Sequence, residues 1–228
     1  MQTPIPLRHL FRNSLLVSVG EQCQPALQIH RMTGERVPFF FDWIRTPSAA
    51  MRSIFMDAGQ FFCSGNWELL DQGVRFWDKA TDLRFLHEFA VAGEAFPAGD
   101  AQGCQMIDVA RVEGHLPMAR AKFRHLQQKT LHAIRSAAHT ILVRYEENTD
   151  IDQAIRLAGQ IDALFGPIAP RLNILIVSPT LDQDQMHGNA LLLKVAAGEK
   201  PSGDDADWDR IFRRAAEEWL SPGADGER

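Results

Sequence analysis

The feature that most constrains this chain is an alternation. Continuous apolar runs, "LLVSV" at 15–19, "TILV" at 140–143, "LNILIV" at 172–177 and "ALLLKVA" at 190–196, are separated by longer segments with helical periodicity. A strand that is apolar on both sides must be covered on both sides, and helical crossovers between parallel strands supply that cover. The expected fold is therefore α/β, with a mostly parallel sheet and helices on both faces. At 228 residues, 45% of them hydrophobic, the chain is long enough to bury a full core. A single domain is expected over residues 1–220, with 221–228 as a disordered tail.

Local signals place the elements. Gly20 closes the first apolar run, and Pro25 suits the first turn of a helix that continues through "ALQIHRM" to Gly34. "VPFFFDWI" reads as a short, buried, extended aromatic run. Thr46 as cap and Pro47 at the first position open a further helix, which Gly59 ends. Leu116, Ala119, Phe123, Leu126, Thr130, Ile134 and Ala137 recur every three or four residues, so the spacing predicts a long amphipathic helix over 116–138. A polar helix over "DIDQAIRLAGQIDALFG" and a last one through "DWDRIFRRAAEEWL" follow. From Gln60 to Arg111 turn-formers interrupt every apolar patch, and no period emerges.

Charge and cysteine usage set several partners aside. A formal net charge of -5 gives no general pull toward nucleic acid or anionic lipid, and no apolar stretch approaches the roughly 20 residues that span a bilayer. Neither nucleic acid nor membrane is expected as a partner; the expected substrate is a small molecule or a peptide. Cys23, Cys63 and Cys104 are odd in number and widely spaced, which suggests neither a disulfide framework nor a metal knuckle. Without a secretory signal pattern at the N-terminus, a reducing cytoplasm is the expected location. His125 and His132 are seven apart, but two ligands define no metal site. "SVGEQCQPA" lacks the glycines and lysine of a phosphate or dinucleotide loop. No metal and no cofactor is expected.

One cysteine stands where chemistry is favoured. Cys23 lies at the handover from the first strand to the first long helix, and ligands of open parallel sheets bind at such handovers. A helix start offers backbone N–H groups and positive potential, which bias a thiol toward the nucleophilic thiolate. Cysteine is also among the most buried residue types, so simple packing is the competing reading. Arg144 ends the strand "TILV" at the same predicted edge; it would either grip an anion bidentately or pair with Glu146 or Glu147.

The ordered set "VSVGEQCQPALQIHRM", "PFFFDWI", "FLHEF" and "ILVRYEE" resembles a bacterial family of unassigned function that is catalogued as papain-like cysteine peptidases. The resemblance covers most of the chain from Ser14 to Tyr145. It implies Cys23 as nucleophile, His87 as base, Asp42 as the group orienting that base, and Trp43 and Arg144 as substrate-binding positions. The chain departs from the family pattern in the extra phenylalanines before Asp42 and in Glu88, where the family has aspartate. A papain-like α+β fold is the alternative that the resemblance carries. "DQDQMHGN" offers a competing base, His187, three residues after Asp184, in an arrangement similar to that of SGNH-type serine hydrolases. The expected function is a cysteine peptidase or related thiol hydrolase or acyl-transfer enzyme using a Cys–His pair. The alternative is a non-catalytic or glycan-related α/β protein that binds an anionic small molecule or nucleotide sugar. The basic helix residues Arg120, Lys122, Arg124, Lys129 and Arg135 form either a solvated face or an anion-recognition surface.

Overall fold

The computed structural model describes residues 6–35, 37–85, 88–95, 105–196 and 203–220. In chain order the elements are α1 (Leu7–Leu10), β1 (Leu15–Ser18), α2 (Gln24–Thr33), β2 (Ile44–Arg45), β3 (Trp67–Leu70), β4 (Arg75–Asp78), β5 (Leu83–Phe85), β6 (Ala90–Ala95), β7 (Gln105–Ile107), α3 (Val109–Ser136), β8 (Thr140–Tyr145), α4 (Ile151–Phe165), β9 (Leu172–Ser178), β10 (Gln185–His187), β11 (Ala190–Lys194) and α5 (Asp205–Leu220). The expected single domain resolves into two compact units. One comprises Met1–Val37 with His132–Arg228, and the other is Pro38–Leu131, inserted between the first helix crossover and the second strand of the sheet.

The first unit carries the α/β architecture. Its sheet runs β1-β8-β9-β11-β10, with β1, β8, β9 and β11 parallel and β10 antiparallel at the far edge. Every residue of β8 and β9 is buried, which is why these strands read as unbroken apolar runs. Successive side chains alternate between the two faces. Leu16, Ile141, Val143, Tyr145, Leu175, Val177, Leu191 and Leu193 point to one face, where they pack with Ile29 and Met32 of α2 and with Trp208, Ile211, Phe212 and Trp219 of α5. Their neighbours Leu142, Ile174, Ile176 and Leu192 are equally buried on the other face, and α4, in contact with β9 and β11, buries Ala154, Leu157, Ala158, Ile161 and Phe165 there. Each such large apolar side chain contributes roughly 1.5–3 kcal/mol by leaving water.

Local chemistry fixes the ends of these helices. Pro25 sits in the first turn of α2, and Gly34 closes that helix at φ 75°, a left-handed cap that glycine adopts without strain. Asp150 and Gln153 form a reciprocal capping box at the start of α4. The α2 and α5 helices are joined by Arg31, whose guanidinium meets Asp205 at 3.3 Å and Asp209 at 2.5 Å, and by Gln28, which donates to Asp205 at 2.9 Å.

At the N-terminal ends of the strands a buried polar chain ties the parallel order together. His139 is 6% exposed; its Nδ1 meets Ser14 Oγ at 3.0 Å and its Nε2 meets Asn173 Oδ1 at 2.7 Å. Asn173 Nδ2 donates in turn to the carbonyl of Asn189 at 3.3 Å, which orients the amide and makes Nε2 the protonated imidazole nitrogen.

The second unit contains a four-stranded antiparallel sheet, β2-β5-β4-β3, and the ribbon β6-β7. Its core is aromatic: Phe62 lies 5.0 Å from Phe85 and 5.3 Å from Phe123, and Phe76 stacks on Phe89 at 3.9 Å. The extended run expected for "VPFFFDWI" is instead a tight turn. Asp42 accepts the N–H of Phe39 at 2.9 Å, and Trp43 takes φ 67° before a strand of only two residues. The helix expected after Thr46 is a 3-10 helix over Ser48–Phe55 with Pro47 at the cap position, ending before Gly59. The unassigned stretch from 60 to 111 holds five of this unit's six described strands, each too short for a period to show. α3 begins seven residues earlier than the periodicity indicates, and its stripe from Leu116 to Ile134 is buried as expected. No described helix is long and apolar enough to cross a membrane. The stretch 221–228, expected to be disordered, lies outside the described residues.

Candidate functional site

The first unit's topology singles out one location. From the C-terminal end of β1 the chain turns into α2 on one face of the sheet. From the C-terminal end of the adjacent strand β8 it turns into α4 on the other face. Neighbouring parallel strands whose connections leave to opposite sides open a crevice between their loops, and this is where open α/β sheets place ligands. The two loops are Val19–Cys23 and Glu146–Asp150.

Cys23 stands at the cap position of α2 with backbone angles φ -71° and ψ -13°, is half-buried, and is a thiol outside any disulfide. The turn that delivers it is tight. A Cβ on Gly20 would meet the carbonyl oxygen of Gln22 at 2.5 Å, so only glycine fits without a backbone shift. Beneath it Ser18, 2% exposed, has a side-chain oxygen with no hydrogen-bond partner.

Arg144 lies at the expected edge, with its charge already engaged. It is 1% exposed; Nη1 donates to the carbonyl of Val19 at 2.6 Å, Nε donates to Glu146 at 2.5 Å, and Nη2 stands 3.7 Å from Glu21. Of the two expectations for this residue, the ion pair is the observed one. Gln22 Nε2 donates to Glu147 at 2.7 Å and bridges the two loops directly. Burial pushes the Tyr145 phenol above its ordinary range, and the negative charge of Glu147 pushes in the same direction.

The remaining predicted residues are distributed differently. Asp42 (4% exposed) and Trp43 (36% exposed) belong to the second unit, where Asp42 closes its own turn. His87 lies outside the described residues, as does Cys104. His187 is exposed on β10, four strands from β1, a separation of roughly 19 Å at the usual strand spacing. It is therefore not a base for Cys23. Among the other described histidines of the first unit, His139 enters β8 at the opposite edge of the sheet and His132 lies in the helix leading there. His30 is seven residues along α2 from Cys23, about 10 Å at helical rise.

The basic run on α3 is largely spent on internal contacts. Arg120 donates to the carbonyls of Phe61 at 2.8 Å and Phe62 at 2.7 Å, Lys129 donates to the carbonyl of Pro38 at 2.7 Å, and Lys122 pairs with Glu88. No group of three His, Cys, Asp or Glu side chains able to hold a metal ion occurs among the described residues.

Sequence reasoning placed Cys23 and Arg144 at the crevice, offered Glu147 only as a possible partner of Arg144, and missed Ser18, Glu21 and Gln22. Nothing local marks those three; the Gln22–Glu147 contact joins residues 125 apart. Comparisons of the chain with protein families, with curated proteins and with solved structures find no match.

Proposed function

We propose that this protein is a cysteine peptidase or related thiol hydrolase or acyl-transfer enzyme in which Cys23 attacks a carbonyl carbon. The observation that carries this reading is the position of Cys23: a half-exposed thiol at a helix start, in the switch-point crevice of a parallel sheet. Backbone N–H groups of the first turn of α2 would stabilise the oxyanion. The α2 dipole favours the thiolate by roughly 0.3–1 kcal/mol, and the carboxylates of Glu21, Glu146 and Glu147 oppose it. A thiol in these surroundings needs a cationic partner to ionise near neutral pH. The resemblance assigns that role to His87, with Asp42 orienting it. The rival reading, an anionic ligand or nucleotide sugar held by Arg144, has less support because the guanidinium is committed to Glu146 and Val19.

The test is the pH dependence of iodoacetamide alkylation at Cys23, followed peptide by peptide. The expected result is an apparent pKa below the ~8.5 of a free thiol, lost in His87→Ala and retained in His187→Ala. A Cys23 that stays unreactive in the folded protein, or titrates like a free thiol whatever stands at 87, would falsify the reading.

A further inference from the structure

The strand that leads to Cys23 ends in a hydroxyl with nothing to bind. Ser18 closes β1, is 2% exposed, and its Oγ has no hydrogen-bond partner among the described residues. Buried polar groups in folded proteins are nearly always paired, because an unmet donor forfeits its hydrogen bonds with water and gains none in return. An exception at a strand end in the ligand crevice points to a partner that arrives from outside.

The direction of that hydroxyl follows from the sheet. Leu16, two residues earlier, and Val143, the residue of β8 in register with Ser18, both point to the face that α2 covers, so Ser18 points there as well. At the last residue of β1 this direction leads beneath the start of α2. The approach to Gly20 agrees: Ser18 Oγ lies 3.3 Å from where a Cβ on Gly20 would stand. Glycine at that position leaves the hydroxyl bordered by bare backbone. The α2 helix is ten residues long and has Cys23 at its cap. The N–H groups of a helix's first turn have no partner within the helix. A side-chain hydroxyl and the backbone donors of a helix start therefore meet at the turn that carries the thiol.

We propose that Ser18 is a further catalytic residue of this site, whose hydroxyl donates to the oxyanion that forms when Cys23 attacks an ester, amide or thioester carbonyl. The inference rests on Cys23 being the nucleophile. As the thiolate sulfur bonds to the carbonyl carbon, the π pair of the C=O bond moves onto oxygen, where Ser18 and the N–H groups of α2 hold it. When the C=O bond re-forms, the leaving group departs with its bonding pair and takes up the proton that the thiol gave up. Water then attacks the thioester through the same oxyanion, releasing the acid and the thiol. Donors fixed in place and shielded from bulk water act most strongly on charge that appears only in the transition state. A hydroxyl that pairs with nothing in the free protein breaks no bond to meet that charge.

The experiment compares two reactions of the same thiol. p-Nitrophenyl acetate acylates Cys23 through an oxyanion, forming a thioester and releasing p-nitrophenolate. Iodoacetamide alkylates it by direct displacement of iodide, with no oxyanion. Both rates are read at the Cys23 peptide of the intact chain, apart from Cys63 and Cys104, and divided by those of a small free thiol. Ser18→Ala should slow acylation about tenfold or more, toward the cost of losing one oxyanion donor, and leave alkylation within about twofold. Ser18→Thr keeps the hydroxyl on a residue suited to strands and should retain acylation. The urea midpoint of Ser18→Ala should stand at or above the wild-type value, since no hydrogen bond is lost. Acylation equal in wild type and Ser18→Ala, both reactions slowed alike, or acylation lost equally in Ser18→Ala and Ser18→Thr overturns the role of Ser18 alone. So does a wild-type Cys23 that is alkylated and not acylated. A Cys23 unreactive toward both reagents overturns the nucleophile reading and this inference with it.

Discussion

The guanidinium of Arg144 donates from Nη1 to the carbonyl of Val19 at 2.6 Å, joining residues 125 apart at the C-terminal edge of the parallel sheet. The same side chain holds Glu146, so a single buried cation fixes the ends of both strands that flank the crevice. The loop bearing Cys23 begins at that carbonyl.

Arg144→Met, which keeps much of the volume and removes the charge, should destabilise the protein by about 3 kcal/mol, near the lower end for breaking a buried ion pair because Glu146 keeps some contact with solvent. Urea unfolding of wild type and variant measures this. A loss under about 1 kcal/mol would show the strap to be dispensable, at the level of an ordinary surface pair. Alkylation of Cys23 should also lose its dependence on the folded state before global unfolding, because the turn is anchored through Val19.

At the opposite edge His139 links Ser14 to Asn173. His139→Ala would strand Asn173 Oδ1 in a buried setting, at about 1–3 kcal/mol for a polar group left unsatisfied, while the half-buried Ser14 hydroxyl would lose its partner at smaller cost. The effect should appear in the unfolding midpoint while the alkylation rate of native Cys23 stays at its wild-type value. A change in Cys23 reactivity without loss of stability would contradict the assignment of this chain of hydrogen bonds to strand order.

Asp78 of the second unit gives a pH signature. Burial raises its pKa above the ordinary 3.8, against hydrogen bonds from Thr81 and the backbone of Phe62 and Ala80 and against the charge of Arg120. The folded state therefore holds the proton to higher pH than the unfolded state does. Asp78's contribution is most favourable below pH 3.8 and is lost as pH rises through the folded-state pKa. Asp78→Asn has no proton to lose, so the stability of wild type relative to the variant should fall from about pH 4 upward and then level off. Denaturant titrations between pH 4 and 7 measure the difference; a flat line would show that the carboxyl titrates alike in both states.

The amino-acid order by itself determined the elements whose signals are local. The α2 helix shows it in Pro25 and Gly34, the α3 stripe in Leu116 through Ile134, and the parallel strands in runs that are apolar because both of their faces are covered. It also put Cys23 at a strand-to-helix handover, since that depends only on neighbours in the chain. What it did not carry is pairing. The strands between 60 and 111 are three to six residues long, so their identity rests on partners across the sheet rather than on a period. Arg144 read equally well as an anion grip or an ion pair. The choice was made by Val19 and Glu146, which meet it only once β1 and β8 lie side by side. Strand order likewise separated His187 from Cys23 and brought Gln22 to Glu147. Periodicity and capping act over one or two turns of chain and are written in sequence. A crevice assembled from loops more than a hundred residues apart is decided by tertiary packing, because there the partners are brought together by the sheet.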